Sequence, residues 1–273
     1  MADRMADRAS DPVAADRGPV TLGVSGLRFA FGTLSVLRVR VDRWDRAAGG
    51  AAMVLAPVVG LVLGGLAAGV GALAAWRGGP LLGAVAAVAV LAALTRGLHL
   101  DGLADVADGL GSNKPAEDAL RIMKQSDIGP FGVLTLVLAL LAQIAALAGQ
   151  FAHSPARGAL AVLTAALAAR CALAWGCLRS VPAARPGGLG AMVASTVHPL
   201  AAAAVTAATA LAVGLAGRSP VPPIALAAGV GCAWLLLRRC VRRFGGVTGD
   251  VLGAMAETAA TGALVAAALI GVS

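Results

Sequence analysis

Long apolar runs separated by short polar segments dominate the chain from residue 51 onwards. We place them near residues 51–75, 80–96, 129–150, 158–178, 199–217, 221–237 and 251–272. An α-helix needs about 20 consecutive apolar residues to cross the hydrocarbon core of a bilayer. The pattern therefore predicts an all-α fold, a polytopic transmembrane helix bundle of about seven spans.

The chain before the first run has a different character. Residues 1–22 are charged and small with few large apolar side chains, which is typical of a disordered N-terminal tail. The weakly amphipathic piece Leu27–Leu37 is suited to the membrane surface. We expect residues 23–273 to form a single integral-membrane domain.

Composition and charge agree with a membrane protein. Hydrophobic residues make up 59% of the chain, the mean hydropathy is +0.84 and the net charge is +8. Counted over alternate loops, 18 Lys and Arg lie on one side of the predicted membrane and 3 on the other. This split predicts that the N-terminus and the 96–128 loop are in the cytoplasm, at the inner (cytoplasmic) cell membrane. Base-stacking aromatic residues are scarce, with no Tyr, so we expect no nucleic-acid partner.

An acidic stretch lies between the second and third runs. Residues 96–132 hold six of the fourteen acidic residues of the chain. At about 100° per residue, Asp101, Asp105 and Asp108 share one face of a cytoplasmic helix. A divalent cation would relieve the repulsion among them, and oxygen ligands suit magnesium or manganese. The alternative is a solvated polar loop without a metal.

A second polar patch precedes and begins the last run. Residues 245–249 form a Gly-rich turn that leads into a helix, an arrangement whose free N–H groups bind phosphate. Four arginines before the turn suit phosphate as well, or simply anchor the chain to anionic lipid. Asp250 and Glu257 are seven residues apart and share one helical face, and Glu257 lies within an apolar span. The 179–197 loop, with two arginines and several glycines, is a candidate substrate loop.

These features together indicate metal-assisted transfer of a phosphorylated group. A CDP-alcohol phosphotransferase would also fit this chemistry, but its D-G-x-x-A-R pattern is not completed after Asp101-Gly102. A cation-coupled transporter is the alternative from another class. It would place carboxylates near the middle of the bilayer, which suits only Glu257.

Three combined motifs resemble the cobalamin synthase family, the adenosylcobinamide-GDP ribazoletransferases. They are H-x-D-G-L-A-D-x-x-D-G from His99, E-x-x-x-x-I-M-K with S-x-I-G-x-x-G from Glu117 to Gly132, and G-G-V-T-G-D-x-L-G-A-x-x-E from Gly245 to Glu257. The similarity extends over about residues 25–272, and its specificity lies in the combination.

The resemblance implies an activity, a cofactor and a set of site residues. A ribose hydroxyl of α-ribazole, or of its 5′-phosphate, would attack adenosylcobinamide-GDP and release GMP in the last joining step of coenzyme B12 assembly. Magnesium would be held by Asp101, Asp105 and Asp108, and either His99 or a carboxylate, with Asp101 the candidate, would take the hydroxyl proton. The expected substrate contacts are Glu117, Lys124, Ser126, Asp127, Arg242, Arg243, Thr248, Asp250 and Glu257.

One position departs from the family pattern. Members of the family usually have Asp where this chain has Gln125, and Asp127 lies two residues further on. We expect Asp127, or water, to take over whatever that Asp does. Membrane lipid is the other expected partner, and the sequence leaves open whether the chain forms an oligomer.

Overall fold

The computed structural model describes residues 19–271, and within them the chain forms eleven helices. They are α1 (Pro19–Leu34), α2 (Arg46–Gly78), α3 (Pro80–Leu94), α4 (Leu98–Gly111), α5 (Ala116–Ile122), α6 (Pro130–His153), α7 (Pro155–Gly176), α8 (Gly188–Val193), α9 (Pro199–Gly217), α10 (Val221–Phe244) and α11 (Gly249–Ile270). Most of the predicted tail, residues 1–18, lies outside the described residues. Residues 19–22 of that tail belong to the first turn of α1.

Six of the described helices are long and apolar enough to cross a membrane: α2, α6, α7, α9, α10 and α11. The most apolar windows of α6 and α9 are only 22% and 17% buried inside the protein, so most of their apolar side chains face outwards. Such a surface is stable in lipid and not in water. The predicted all-α, multi-pass membrane fold is therefore confirmed. It has six spans, or seven if the bent pair of α3 and α4 is counted as one additional span.

The second predicted span, near residues 80–96, forms a helix that is too short to count as a span by itself. Its helix, α3, ends at Leu94 and is only 15 residues long. Arg96 and Gly97 follow with φ of 56° and 67°, in the left-handed region that ends an α-helix. The chain turns there by 88° into α4. Because of this bend, α3 packs against α2 and α6, whereas α4 packs mainly against α11.

The segments that join the long helices lie at the ends of the bundle. One side carries α4, α5, the 177–198 segment and the 245–248 turn, and we call it the acidic side. Contacts between these segments hold it together. Arg46 at the start of α2, for example, donates to the carbonyls of Ala191 and Ala194 at 2.6 Å each.

Helix α7 runs through the middle of the protein and is its most buried span. Glycines of α2 make room for it, because residues without a side chain let two helix backbones approach closely. A Cβ at Gly60 would lie 2.9 Å from the Ala166 carbonyl oxygen, and one at Gly64 would lie 2.6 Å from the Ala166 side chain. Gly65 and Gly69 have no atom within 4 Å of such a Cβ, so only the first two serve this contact.

Candidate active site

Helix α4 carries the three aspartates, as the spacing predicts, but their surroundings differ. Asp101 is exposed in the first turn, Asp105 is half-buried and Asp108 is only 7% exposed. Along the predicted helix face, the exposure of the carboxylates therefore falls from Asp101 to Asp108. The three carboxylates do not have equivalent roles.

Asp108 binds the beginning of α6. Its two carboxylate oxygens accept hydrogen bonds from the backbone N–H groups of Gly129 at 2.7 Å and Gly132 at 2.9 Å. These N–H groups have no partner within the first turn of a helix, and a carboxylate there also interacts favourably with the helix dipole. Asp108 therefore caps α6 from another helix. Its predicted metal contact remains a prediction, and the geometry favours the capping role.

Asp250, in the first turn of α11, is the third carboxylate beside Asp101 and Asp105. A Cβ at Gly102 would lie only 2.6 Å from the Asp250 carbonyl oxygen, so α4 and the first turn of α11 touch at a point where only glycine fits. This contact brings the Asp250 carboxylate within electrostatic range of Asp101 and Asp105. We call Asp101, Asp105 and Asp250 the acidic triplet.

The electrostatics of the acidic triplet centre on Asp105. Burial, and after it the negative charges of Asp101, Asp250 and Asp108, together raise the pKa of Asp105 to about 7. Arg185 acts in the opposite direction and lowers it. A carboxyl that resists ionisation among like charges is one that a cation would stabilise in its ionised form.

Arg185 is the site residue that the sequence did not single out. Its Nη1 lies 3.9 Å from Asp250 Oδ2, and its Nη2 donates to the carbonyl of Leu120 in α5. The segment around it is fixed on the Gly-rich turn, because Val247 N–H donates to Pro182 O and Ala184 N–H donates to Val247 O, both at 2.9 Å. The two arginines and the glycines of the 179–197 loop were the only sequence signal for this position.

The Gly-rich turn connects α10 to α11. Gly245 ends α10 with φ of 82°, and the Thr248 side chain caps α11 by accepting from Val251 N–H at 3.2 Å. The Thr248 hydroxyl also donates to Asp250 Oδ2 at 3.2 Å. Because Val247 N–H already binds Pro182 O, this N–H does not face a phosphate. The phosphate-binding role of the turn remains a prediction.

The remaining predicted residues surround the triplet on the same side. Arg243 donates to the Lys114 carbonyl and so ties the end of α10 to the loop before α5. Lys124 acts electrostatically on Asp250, which places it near the triplet. The other substrate contacts predicted from the sequence have exposed side chains: Glu117, Ser126, Asp127 and Arg242.

His99 and Glu257 lie below this surface, in the interior. The His99 ring is 6% exposed and faces Arg170 of α7, with Arg170 Nη1 3.1 Å from its Nδ1. Glu257 accepts a hydrogen bond from Gln143 Nε2 of α6 at 3.0 Å. Neither side chain points to the triplet. The proton-accepting role predicted for His99 is therefore better suited to a carboxylate, and a substrate contact of Glu257 stays a prediction.

The acidic triplet does not form a closed metal site by itself. Among the described residues, no group of three or more His, Cys, Asp or Glu side chains is close enough to hold a metal by itself. Magnesium usually binds through one or two carboxylates together with substrate phosphates and water, not in an all-protein cage. A magnesium ion at the triplet would therefore need oxygens from a phosphorylated ligand and water, and its binding stays a prediction.

Comparison with known proteins decides the family. The sequence model of one family, described as Cobalamin-5-phosphate synthase, matches residues 26–268. The chain belongs to this family. The match confirms the resemblance predicted from the motifs, and the two rival families lose their support.

Curated relatives of this cobalamin-5-phosphate synthase family member match most of the chain. A protein of Frankia casuarinae named adenosylcobinamide-GDP ribazoletransferase is 44% identical over 262 residues, which is 89% of this chain and 94% of the relative. One of a Nocardioides species with the same name is 44% identical over 243 residues, 88% of this chain and 96% of the relative. A third, of Syntrophobacter fumaroxidans, is 40% identical over 213 residues, 74% of this chain and 79% of the relative. No solved structure matches the chain.

Proposed function

We propose that this protein joins adenosylcobinamide-GDP to α-ribazole or its 5′-phosphate and releases GMP, the last assembly step of coenzyme B12. The observation that carries the proposal is the acidic triplet. Two of the three family motifs, separated by more than a hundred residues in the chain, touch at Gly102 and Asp250, and the carboxylates of Asp101, Asp105 and Asp250 interact electrostatically there. Two relatives that the chain matches over 94% and 96% of their own length carry the name of this activity.

The reaction is a substitution at phosphorus. The ribose hydroxyl oxygen forms a bond to the phosphorus that stays with the corrinoid, and the bond from this phosphorus to the oxygen of GMP breaks. The hydroxyl proton passes to Asp101, the exposed member of the triplet, and from there to water. GMP leaves with the electron pair of the broken bond.

We propose magnesium as the cofactor, held by Asp105 and Asp250 together with the diphosphate. A magnesium ion bound there would screen the diphosphate and stabilise the negative charge that develops on GMP. Asp105, whose pKa is raised to about 7, gains most from a nearby cation. Asp108 supports the site indirectly, because it fixes α4 to the start of α6.

Basic side chains at the edge of the triplet suit the anionic substrate. Arg185 lies beside Asp250, at 3.9 Å, and is within the site without being locked to one carboxylate. A guanidinium binds two phosphate oxygens at once, so Arg185 is the residue we assign to the diphosphate. Lys124 adds a second positive charge on the same side.

We propose that the acidic side faces the cytoplasm, in the inner membrane. The predicted cytoplasmic loops carry 18 Lys and Arg, against 3 on the other side. The arginines at the end of α10 would then also contact anionic lipid headgroups. This orientation gives the site access to metabolites made in the cytoplasm.

The test is GMP release by the purified protein in detergent, with adenosylcobinamide-GDP, α-ribazole and magnesium. We expect GMP and the cobalamin product in equal amounts, and no product after EDTA treatment. Arg185→Lys should raise the KM for adenosylcobinamide-GDP more than it lowers kcat, because one contact to the diphosphate is lost. GMP release that proceeds equally without α-ribazole would show a hydrolase and refute the proposal.

A further inference from the structure

Arg170 is a cation in the interior of the bundle. It lies on α7, six residues before the helix ends at Gly176, which is about 9 Å along the axis. The residue is 4% exposed, and its stem packs where Gly60 of α2 has no side chain. A buried cation is stable only if its charge and its N–H groups find partners.

Only part of that requirement is met by protein atoms. Arg170 Nη1 lies 3.1 Å from Nδ1 of His99, and because arginine only donates, the His99 nitrogen must accept. The Nε–H group of Arg170 is buried and is the one buried side-chain polar atom without a hydrogen-bond partner among the described residues. The proposed reaction uses neither Arg170 nor this nitrogen.

The opposite charge is close but not in contact. Glu257 of α11 and Arg170 interact electrostatically, yet no direct ion pair joins them among the described residues. The Glu257 carboxylate is bonded to Gln143, which also donates to Thr261 Oγ1 at 2.9 Å. Two buried opposite charges that are near each other but not in contact indicate that a third, bridging group lies between them.

A cavity occupies this gap. Its volume is about 50 Å³, and Arg170, Glu257, His99, Gln143 and Thr95 contribute its polar wall. A buried water needs roughly 10–15 Å³ of such volume and two to four polar partners, so the cavity has room for about three to five waters. The net charge of the Arg170 and Glu257 pair is zero, which suits a neutral ligand better than an ion.

We propose that this cavity is a water site, in which ordered water bridges the Nε of Arg170 to Glu257. The result is a polar hub, made of Arg170, His99, Glu257 and the water between them, that joins α7 to α4 and α11. His99 is two residues before Asp101, and Glu257 is seven residues after Asp250. From the interior of the bundle, the hub therefore fixes α4 and α11, the two helices that carry the acidic triplet. Arg170 acts as a positioning residue. The catalytic consequence rests on the proposed function above, whereas the hub itself does not.

The hub is tested first by stability, without any activity assay. Arg170→Met leaves the Glu257 carboxylate buried without its counter-charge, and Glu257→Gln does the same to Arg170. Each single variant should melt lower than the wild type in detergent. The double variant should melt higher than the Arg170→Met protein, because removing both members of a buried pair is far less harmful than removing one. Losses that simply add would overturn the hub.

Thr164→Val is the matched control. Thr164 is buried on the same helix, and its hydroxyl donates to Leu160 O of that helix at 2.8 Å. Combined with Glu257→Gln, its effect on melting should add without coupling. High-resolution cryo-electron microscopy should show water beside Arg170 Nε, and a dry cavity would overturn the water bridge.

The positioning role is tested by the magnesium response. In the double variant, with stability largely recovered, the magnesium concentration for half-maximal GMP release should rise roughly tenfold, a loss of about 1.4 kcal/mol in metal binding. An unchanged magnesium response in a folded double variant would overturn the positioning role. If the wild-type protein releases no GMP at all, the proposed function fails, and the stability cycle still decides the hub.

Discussion

Asp105→Asn removes one negative charge from the centre of the acidic triplet while keeping the size of the side chain. Asp105 is the member whose pKa burial and the neighbouring carboxylates raise, to about 7. If it holds magnesium, the variant loses a ligand that stabilises the transition state. We expect a loss of about 4 kcal/mol, which is roughly a thousandfold in rate.

The same change should not destabilise the fold. The direction of its effect on stability follows from the raised pKa of Asp105. In the folded, metal-free protein Asp105 keeps its proton up to about pH 7, whereas in the unfolded chain it loses it near 3.8. Stability therefore falls as the pH rises from about 4 to about 7, and above this window the penalty is fully present. The full difference corresponds to about 4 kcal/mol, and solvent screening of this half-buried group reduces it to roughly 2 kcal/mol.

The variant lacks this penalty. Above pH 7 and without metal, we expect its melting temperature in detergent to exceed that of the wild type by about 4–8 °C. At pH 5 most of the difference should disappear. Magnesium should raise the melting temperature of the wild type, because a ligand that binds the folded state stabilises it, and should have little effect on the variant.

The assay pairs GMP release with thermal melting in EDTA or magnesium, at pH 5 and pH 8. Asp118→Asn is the control, because Asp118 is paired with Arg121 at 3.0 Å on α5, outside the triplet. It should leave both activity and the magnesium response unchanged. An Asp105→Asn protein with wild-type turnover, or one that melts lower than the wild type at both pH values, would refute the reasoning.

Three further outcomes can be checked separately. Asp108→Ala should lower stability by roughly 2–3 kcal/mol with or without magnesium, since two N–H groups of α6 lose their cap; a changed magnesium response at unchanged melting temperature would instead mark it as a metal ligand. Gln125→Asp should keep or raise GMP release and Asp127→Asn should lower it; a silent Asp127→Asn together with a new metal requirement in Gln125→Asp would contradict the substitution idea. Asn113→Cys, in a cysteine-free background, should react with an impermeant maleimide only after permeabilisation, whereas Ser219→Cys should react in intact cells; the reverse pattern would invert the topology.

The spans could be predicted from the sequence because their signal is local. A run of apolar residues must avoid water and satisfy its own backbone, and in a bilayer only a helix does both. The same holds for α4, since three aspartates at spacings of four and three residues belong on one helix whatever surrounds it. The end of the second run near residue 96 was predicted, but the 88° bend between α3 and α4 was not, because the apolar pattern does not show the left-handed backbone of Arg96 and Gly97 that turns the chain there.

The roles within the site depended on the tertiary structure. Asp101, Asp105 and Asp108 look alike in the sequence, yet Asp108 is bound by the start of α6, whereas Asp105 meets Asp250. His99 lies two residues before Asp101 but faces Arg170, 71 residues further along the chain. The physical reason is that a carboxylate or an imidazole acquires its function from the groups it contacts. Those groups come from helices that are distant in the chain, and only the packing of the bundle brings them together.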